Sequence, residues 1–119
     1  MAEAQRYLTK AADLAPKNAA CKFGLGQVYL QKKQYKKAES ILREALQIRE
    51  SHSTRIGLAF AYLAQGKIKQ AEKTHLDGMK LKPGRSDGYE SYAAFLSDVG
   101  RESEAIMMSR KAEELRRMN

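Results

Sequence analysis

Apolar residues recur along the chain at the spacing of helices that pack against one another. Leu25, Val28 and Tyr29 mark one helical face, and a second face follows after a polar stretch, at Ala38, Ile41, Leu42 and Ala45. Residues at i, i+3, i+4 and i+7 lie on one side of an α-helix, so these stretches predict amphipathic helices. No segment alternates between apolar and polar residues with turn signals around it, and the pattern therefore predicts no sheet.

The helical pattern itself repeats. Alanine recurs at spacings of 34, 33 and 34 residues, at Ala4, Ala38, Ala71 and Ala105. Large–small pairs recur upstream at spacings of 33 and 34, as Leu25-Gly26, Leu58-Ala59 and Tyr92-Ala93. Periods of this length indicate stacked helical hairpins, because small residues at fixed positions let neighbouring helices approach closely. Gly66 and Gly100 fall where the chain must reverse, and glycine tolerates a positive φ there.

At these positions the sequence resembles the tetratricopeptide repeat family, whose units have about 34 residues and the pattern W-x2-L-G-x2-Y, A-x3-F, A and P. The matching residues are Ala4, Leu8, Ala11 and Pro16; Leu25, Gly26, Tyr29, Ala38, Leu42 and Ala45; Leu58, Ala59, Tyr62, Gly66, Ala71 and Pro83; and Tyr89, Tyr92, Ala93, Gly100, Ala105 and Ala112. They define a half repeat at 1–18, with its second helix only, and full repeats at 19–51, 52–85 and 86–119.

The resemblance implies one domain over residues 1–119, with an all-α fold. The expected architecture is a right-handed superhelical solenoid of antiparallel helix-turn-helix hairpins, with seven helices. Both ends lack a capping helix, so we expect either a fragment of a longer protein or a homodimer formed through the open ends. Lys22 and Arg55 occupy slots where the family has a large aromatic residue. Either those helix starts have a looser register, or the aliphatic stems pack and the charges reach solvent.

The resemblance also implies a binding surface, because the first helices of such repeats line a concave groove that binds partner segments. The groove positions in this sequence include Phe23, Gln27, Leu30, Ile56, Phe60, Leu63, Asp87, Glu90 and Asp98. They predict an apolar strip with an acidic end, suited to a partner peptide or amphipathic helix. The alternative is that the strip is covered by the protein itself, by a neighbouring repeat or by a second copy.

One subfamily function is not expected. The slots of the carboxylate clamp that grips chaperone C-terminal tails hold Phe23, Gln27, Gly57, Asp87 and Ser91 here, and none of them matches the clamp's Lys, Asn and Arg residues. We therefore predict that acidic chaperone C-terminal tails do not bind.

The net charge of +8 raises a second hypothesis. Lys32, Lys33, Lys36 and Lys37 surround Tyr35 in a predicted turn and the start of the following helix. They form either a solvated turn or a basic patch that, with Arg110, Lys111, Arg116 and Arg117, binds nucleic acid or an acidic partner. Nucleic acid is the less favoured partner, because the stretch lacks aromatic stacking platforms.

Chemistry beyond binding has little support. The chain has one cysteine, Cys21, and two histidines, His52 and His75, and no grouping with the spacing of a zinc site. His75 falls on a helix-packing face, and Cys21 fits a partly buried hydrophobic position. We therefore expect no catalytic residues, no metal and no cofactor. A single cysteine forms no internal disulfide, and no stretch is apolar enough to span a membrane, so a cytoplasmic location is expected.

Overall fold

The structure, a computed structural model, describes Arg6 and residues 18–118. This part of the chain forms six helices and no strand: α1 (Ala19–Gln31), α2 (Tyr35–Ile48), α3 (His52–Ala64), α4 (Ile68–Leu81), α5 (Ser86–Asp98) and α6 (Glu102–Met118). The predicted all-helical fold is confirmed for these residues. The seventh helix, predicted within residues 1–18, falls almost entirely outside the described residues.

The chain divides into two compact units, Met1–Ala71 and Glu72–Asn119. In the first unit α2 packs against both α1 and α3, and in the second unit α5 packs against α6. None of the helices in the described part is long and apolar enough to cross a membrane.

Three turns between helices share one hydrogen-bonding pattern. After α1, the Lys33 N–H donates to the Leu30 carbonyl at 3.0 Å, and the Gln34 N–H donates to the Tyr29 carbonyl at 2.9 Å. The same pair of bonds recurs at Gly66 with Lys67, and at Gly100 with Arg101. This is the Schellman motif, which satisfies the last carbonyls of a helix and requires a residue with positive φ.

The residue with positive φ differs between the three turns. Gly66 has φ +79° and Gly100 has φ +83°, as their predicted role in the turns requires, whereas the equivalent residue after α1 is Lys33, with φ +61°. A lysine in this region brings its Cβ close to the backbone, which glycine avoids. The turn after α1 is therefore strained where the other two are not.

The core of the first unit is built around Leu42 of α2, which is fully buried. A Cβ placed on Gly26 of α1 would lie 2.5 Å from Leu42 Cδ2, and one on Gly57 of α3 would lie 3.3 Å from Leu42 Cδ1. The two glycines therefore leave the space that Leu42 fills. The role of Gly26 follows the repeat pattern, but Gly57 lies outside the large–small pairs and is a second close approach.

Lys22 and Arg55 resolve the alternatives that the sequence left open. The Lys22 residue is only 8% exposed, and its Nζ donates to Glu44 Oε1 at 2.9 Å. The guanidinium of Arg55 donates two bonds, at 2.7 and 2.8 Å, to the carboxylate of Glu50. Both stems pack within the unit, as the second alternative predicted, but the charges end in ion pairs with Glu44 and Glu50 rather than in solvent.

Glu39 of α2 joins the second and third helices of the first unit by polar bonds. Its Oε1 accepts bonds from Lys67 Nζ and from Gln65 Nε2, both at 2.9 Å. Partial burial opposes ionisation of this carboxyl, but the bonds from Lys67 and Gln65 and the charge of Lys67 outweigh it, so the pKa of Glu39 lies below its usual value.

The second unit is built around rings. His75 lies 5.4 Å from Phe95 and 6.2 Å from Tyr92, measured between ring centroids, and Tyr92 stacks on Phe95 at 6.1 Å. The predicted position of His75 on a packing face is confirmed. The contact of His75 with two aromatic rings did not follow from the repeat pattern, because it joins residues of two helices.

A polar network lies beside these rings. The Tyr92 hydroxyl donates to Glu72 Oε2 at 2.6 Å, and Arg101 Nη1 donates to the same oxygen at 2.9 Å. Burial, together with the bond to Glu72 and its negative charge, raises the pKa of Tyr92 to about 12. Bonds to Glu104 and Glu72 raise the pKa of Arg101. The Tyr92 hydroxyl therefore stays protonated and donates a hydrogen bond to the Glu72 carboxylate.

Candidate functional site

An apolar surface lies on α1 and α3 of the first unit, where the sequence predicted part of the groove. Phe60 is 53% exposed and Ile56 is 42% exposed, and the two residues lie one turn apart on the same face of α3. On α1, Phe23 and Leu30 are half-buried and Gln27 is exposed; Leu63 of α3 is half-buried. These six residues are called the α1–α3 patch below. Adjacent exposed apolar side chains of this size are typical of surfaces that bind a partner.

Tyr35 extends the patch onto the start of α2. Its ring centroid lies 6.1 Å from that of Phe60, with the rings tilted by 59°. The sequence assigned Tyr35 to packing at the start of the helix, and its half-buried state agrees with that role. Its contact with Phe60 had no signal in the spacing of residues, because it joins side chains of two different helices, α2 and α3.

The packing below the patch explains why it forms. A Cβ on Gly57 would meet Leu42 Cδ1 at 3.3 Å and Leu30 Cδ1 at 3.6 Å. The missing side chain of Gly57 lets the α3 backbone lie close to Leu30 and Leu42. Ile56 and Phe60, which precede and follow this buried turn of α3, are left on the outer face.

The three acidic groove positions lie on α5 of the second unit. Asp87 accepts a bond from Arg85 Nη2 at 2.8 Å, and Glu90 forms an ion pair with Arg116. Asp98 is exposed at the last turn of α5. Two of the three carboxylates therefore already have a cationic neighbour, so their attraction for a partner's basic residue is weaker than the sequence alone suggests.

The basic turn, defined as Lys32, Lys33, Lys36 and Lys37, is exposed, as both sequence hypotheses required. It borders an open pocket of about 790 Å³ between α1 and α2. The pocket is lined by Leu25, Tyr29, Lys33, Gln34, Tyr35, Lys36, Lys37, Ser40, Ile41 and Glu44. The sequence pointed to the lysines but gave no sign of the pocket, whose lining comes from both helices and the turn between them.

The remaining candidates for chemistry stay structural in character. Cys21 is half-buried on α1, and its backbone N–H donates at 3.0 Å to Oδ1 of Asn18, the residue that caps the start of the helix. Among the described residues, no three side chains of the His, Cys, Asp and Glu type are grouped in a way that could hold a metal ion. The raised pKa of Tyr92 belongs to a buried, hydrogen-bonded network rather than to a cleft.

Comparison with known proteins identifies the repeat. Residues 1–53 match the family model of the tetratricopeptide repeat. This match supports the resemblance to the family that the repeat pattern of the sequence indicated. Tetratricopeptide repeats imply protein partners in general, without naming any partner of this chain.

Solved structures of MamA are similar to this chain in fold. One has a TM-score of 0.78 at 21% identity, with 96% of this chain and 67% of that chain covered. Another has a TM-score of 0.74 at 23% identity, with 97% and 69% covered. These likenesses concern the fold, and with the family match they confirm its class as an all-α solenoid of helical hairpins.

Curated relatives of this chain include protein O-mannosyl-transferase TMTC2 of Homo sapiens, 26% identical over 128 residues. The mouse protein of the same name is 27% identical over 116 residues. The alignments cover 95% and 85% of this chain but only 15% and 14% of the transferases. The similarity therefore concerns a small part of those proteins.

Proposed function

We propose that the chain is a non-catalytic protein-interaction scaffold that binds a peptide or helix of its partner on the α1–α3 patch. The observation that carries the proposal is the exposure of Phe60, at 53%. A fully buried Phe side chain is worth roughly 1.5–3 kcal/mol relative to an exposed one, so a partner that covers this ring gains that free energy in part.

The patch suits a helical or extended segment with spaced apolar side chains. Phe60 and Ile56 present two apolar side chains one turn apart, and Tyr35 adds an aromatic wall beside Phe60. Gln27 is an exposed amide on α1, able to donate to and accept from a partner backbone. Aromatic side chains at the centre of an interface commonly supply most of its binding energy. Asp87, Glu90 and Asp98 remain proposed groove positions of the second unit, with Asp98 the carboxylate best able to meet a basic residue.

The transferase activity of the TMTC2 relatives is not part of this proposal. The similarity covers 15% of the human enzyme, and the described residues offer no cluster of metal-ligating side chains. We also propose the cytoplasm as the location, on the basis of the lone cysteine.

The test is affinity capture from a nuclease-treated lysate with the wild-type chain, Phe60→Glu and the matched control Ile106→Glu. Ile106 is 51% exposed on α6, so its substitution makes the same chemical change outside the patch. Circular dichroism first establishes that both variants are folded. We expect a protein band that survives Ile106→Glu and disappears with Phe60→Glu.

Salt dependence separates this proposal from binding through the basic residues. Capture through apolar contacts should change little between 50 and 200 mM salt, whereas capture through phosphates should fall by at least roughly tenfold. A band that survives Phe60→Glu, or one that disappears equally with both variants, would contradict binding at the α1–α3 patch.

A further inference from the structure

The pocket between α1 and α2 has an apolar wall and a positively charged end. Its apolar lining comes from Leu25, Tyr29 and Ile41, and three lysines, Lys33, Lys36 and Lys37, lie at the end nearest the turn. Its volume of about 790 Å³ falls within the roughly 300–1,000 Å³ usual for binding pockets. It is separate from the six residues of the α1–α3 patch, although Tyr35 borders both surfaces.

Among the residues that the structure describes, no carboxylate pairs with the three lysines. In the part of the chain that the structure describes, none of them forms an ion pair, and the one contact seen is Lys37 Nζ at 5.9 Å from the centroid of the Tyr29 ring. Glu44, on the pocket wall, is already paired with Lys22 at 2.9 Å. The pocket therefore has an excess of positive charge at one end only.

One of these lysines is held in an unfavourable backbone conformation. Lys33 has φ +61°, while the equivalent residues of the two later turns are Gly66 and Gly100. All three turns have the same hydrogen bonds, so glycine would fit this position at least as well as it does the others. Strain at a charged, exposed residue that borders a pocket is typical of a side chain with a binding role.

The charge distribution also separates the candidate occupants. Residues 1–17 carry Arg6, Lys10 and Lys17 against Glu3 and Asp13, a net charge of +1, so this segment does not complement the lysines. The apolar wall of Leu25 and Ile41 beside the lysines suits an apolar side chain of a peptide better than a sugar–phosphate backbone. Charge complementarity favours an acidic peptide.

We propose that this pocket binds an internal acidic segment of a partner protein. One apolar side chain of the partner enters between α1 and α2 against Leu25, Tyr29 and Ile41. Carboxylates next to it in sequence lie on Lys33, Lys36 and Lys37. Leu25, Tyr29 and Ile41 line the same pocket as the three lysines, so an apolar side chain and the carboxylates beside it in one peptide can reach both. No terminal carboxylate is involved, which keeps this site distinct from a carboxylate clamp.

The test measures fluorescence anisotropy of a labelled, C-terminally amidated peptide with one tryptophan followed by four glutamates, titrated with the full chain. Two control peptides replace the tryptophan with serine or the glutamates with glutamines. We expect saturable binding of the first peptide and weaker binding of both controls. Circular dichroism of every protein variant precedes the titrations.

The decisive variants differ in the position of their charges and not in their number. Lys33→Glu/Lys36→Glu/Lys37→Glu should raise the Kd by roughly tenfold or more. Lys69→Glu/Lys80→Glu/Lys82→Glu, made at three exposed lysines of α4 and the following turn, changes the net charge by the same amount and should leave the Kd near that of the wild type.

Two further variants isolate the pocket from the charge. Ser40→Phe fills the pocket from its wall without changing the charge and should weaken binding. Lys33→Gly should raise the melting temperature by relieving the positive φ, yet weaken binding by about threefold. If Lys33 had a purely structural role, Lys33→Gly would raise the melting temperature without weakening peptide binding.

Several outcomes would overturn the proposal. Equal weakening in the two triple variants would indicate attraction by net charge alone. Displacement of the peptide by an equal concentration of a single-stranded oligonucleotide would indicate a phosphate site. Absence of saturable binding to the full chain would show that the pocket is covered, by residues 1–17 or by a second copy, or takes no such peptide. Loss of binding in Ile56→Glu would place the peptide on the α1–α3 patch, which would support the proposed function while contradicting this site.

Discussion

The two units use a glutamate at the same point of the repeat in different surroundings. Glu39 of α2 accepts a bond from Lys67, and Glu72 of α4 accepts one from Arg101; each basic residue lies in the next turn of the Schellman type. In the first unit the other donor is the amide of Gln65, whereas in the second unit it is the hydroxyl of Tyr92. The glutamate-to-turn bond is thus a repeated element of the architecture.

The cores beneath these bonds differ in kind. The first unit packs Leu42 into the space left by Gly26 and Gly57, so its fit depends on the volume of single side chains. The second unit packs the rings of Tyr92 and Phe95 against each other and attaches one of them to Glu72. The difference shows that the repeat specifies where helices meet, while the side chains that fill the contact differ between the units. It also predicts that the first unit is sensitive to volume and the second to polar bonds.

The largest expected effect is on the core of the first unit. Leu42→Ala removes a fully buried side chain and should lower the free energy of unfolding by roughly 2–5 kcal/mol. Leu81→Ala, at a leucine that is 59% exposed at the end of α4, should change it by less than about 0.5 kcal/mol. Urea unfolding followed by circular dichroism measures both. Similar values for the two variants would contradict the central role of Leu42.

The next effect tests the close approach itself. Gly26→Ala gains about 1 kcal/mol of helix propensity, but its Cβ would lie 2.5 Å from Leu42 Cδ2. We expect a net loss of about 2 kcal/mol. In a Leu42→Ala background the same change should cause no further loss, because the colliding atoms are gone.

Gly84→Ala is the matched control for Gly26→Ala. Gly84 has open space where a Cβ would be, so the change should be within about 0.5 kcal/mol of neutral. Additive losses for Gly26→Ala and Leu42→Ala in the double variant would disprove the contact between these two residues.

A third variant tests the polar network of the second unit. Tyr92→Phe removes the bond to Glu72 and should cost roughly 1–2 kcal/mol at pH 7. Because the pKa of Tyr92 is raised to about 12, the contribution of its proton is complete below about pH 10 and is lost as the pH rises towards 12. The stability difference between Tyr92→Phe and the wild type should therefore narrow above pH 10.

The control for Tyr92→Phe is Tyr89→Phe, at a half-buried tyrosine one turn earlier on α5. This substitution leaves the bond between Tyr92 and Glu72 in place, so it should cost less than Tyr92→Phe at pH 7. Equal behaviour of the two variants in urea unfolding at pH 7, 9 and 11 would count against the network.

The smallest effect concerns the equivalent bond in the first unit. Glu39→Gln should cost roughly 1 kcal/mol at pH 7. Because the pKa of Glu39 is lowered in the folded chain, its contribution is complete above the usual glutamate value of about 4.3 and is lost as the pH falls through the lower, folded-state value. The gap to the wild type should shrink in acid, while Glu114→Gln, at an exposed glutamate of α6, should show no gap. A gap that stays constant with pH would mean that the loss is not electrostatic.

The sequence predicted which residues of the candidate site are exposed on α3, but it did not predict their contacts with side chains from other parts of the chain. The repeat register placed Phe60 and Ile56 on the outer face of α3, because positions four residues apart share a helix face. It could not place Tyr35 beside Phe60, since that contact depends on how closely α2 and α3 pack. Nor could it show that Asp87 and Glu90 have basic neighbours, because the rotamers of long side chains are decided only by the folded surroundings.

The sequence by itself determined the described helices, the turns at Gly66 and Gly100 and the resemblance to a repeat family, because these depend on periodicity and on small residues at fixed spacing. Local patterns are enough for such features, since each one is decided within a few residues of the chain. Only the tertiary structure decided which side chains meet: Leu42 between two glycines, the ring cluster around Phe95, and the pocket beside Lys33. These contacts join residues far apart in sequence, and their geometry depends on the volumes and distances of the packed helices.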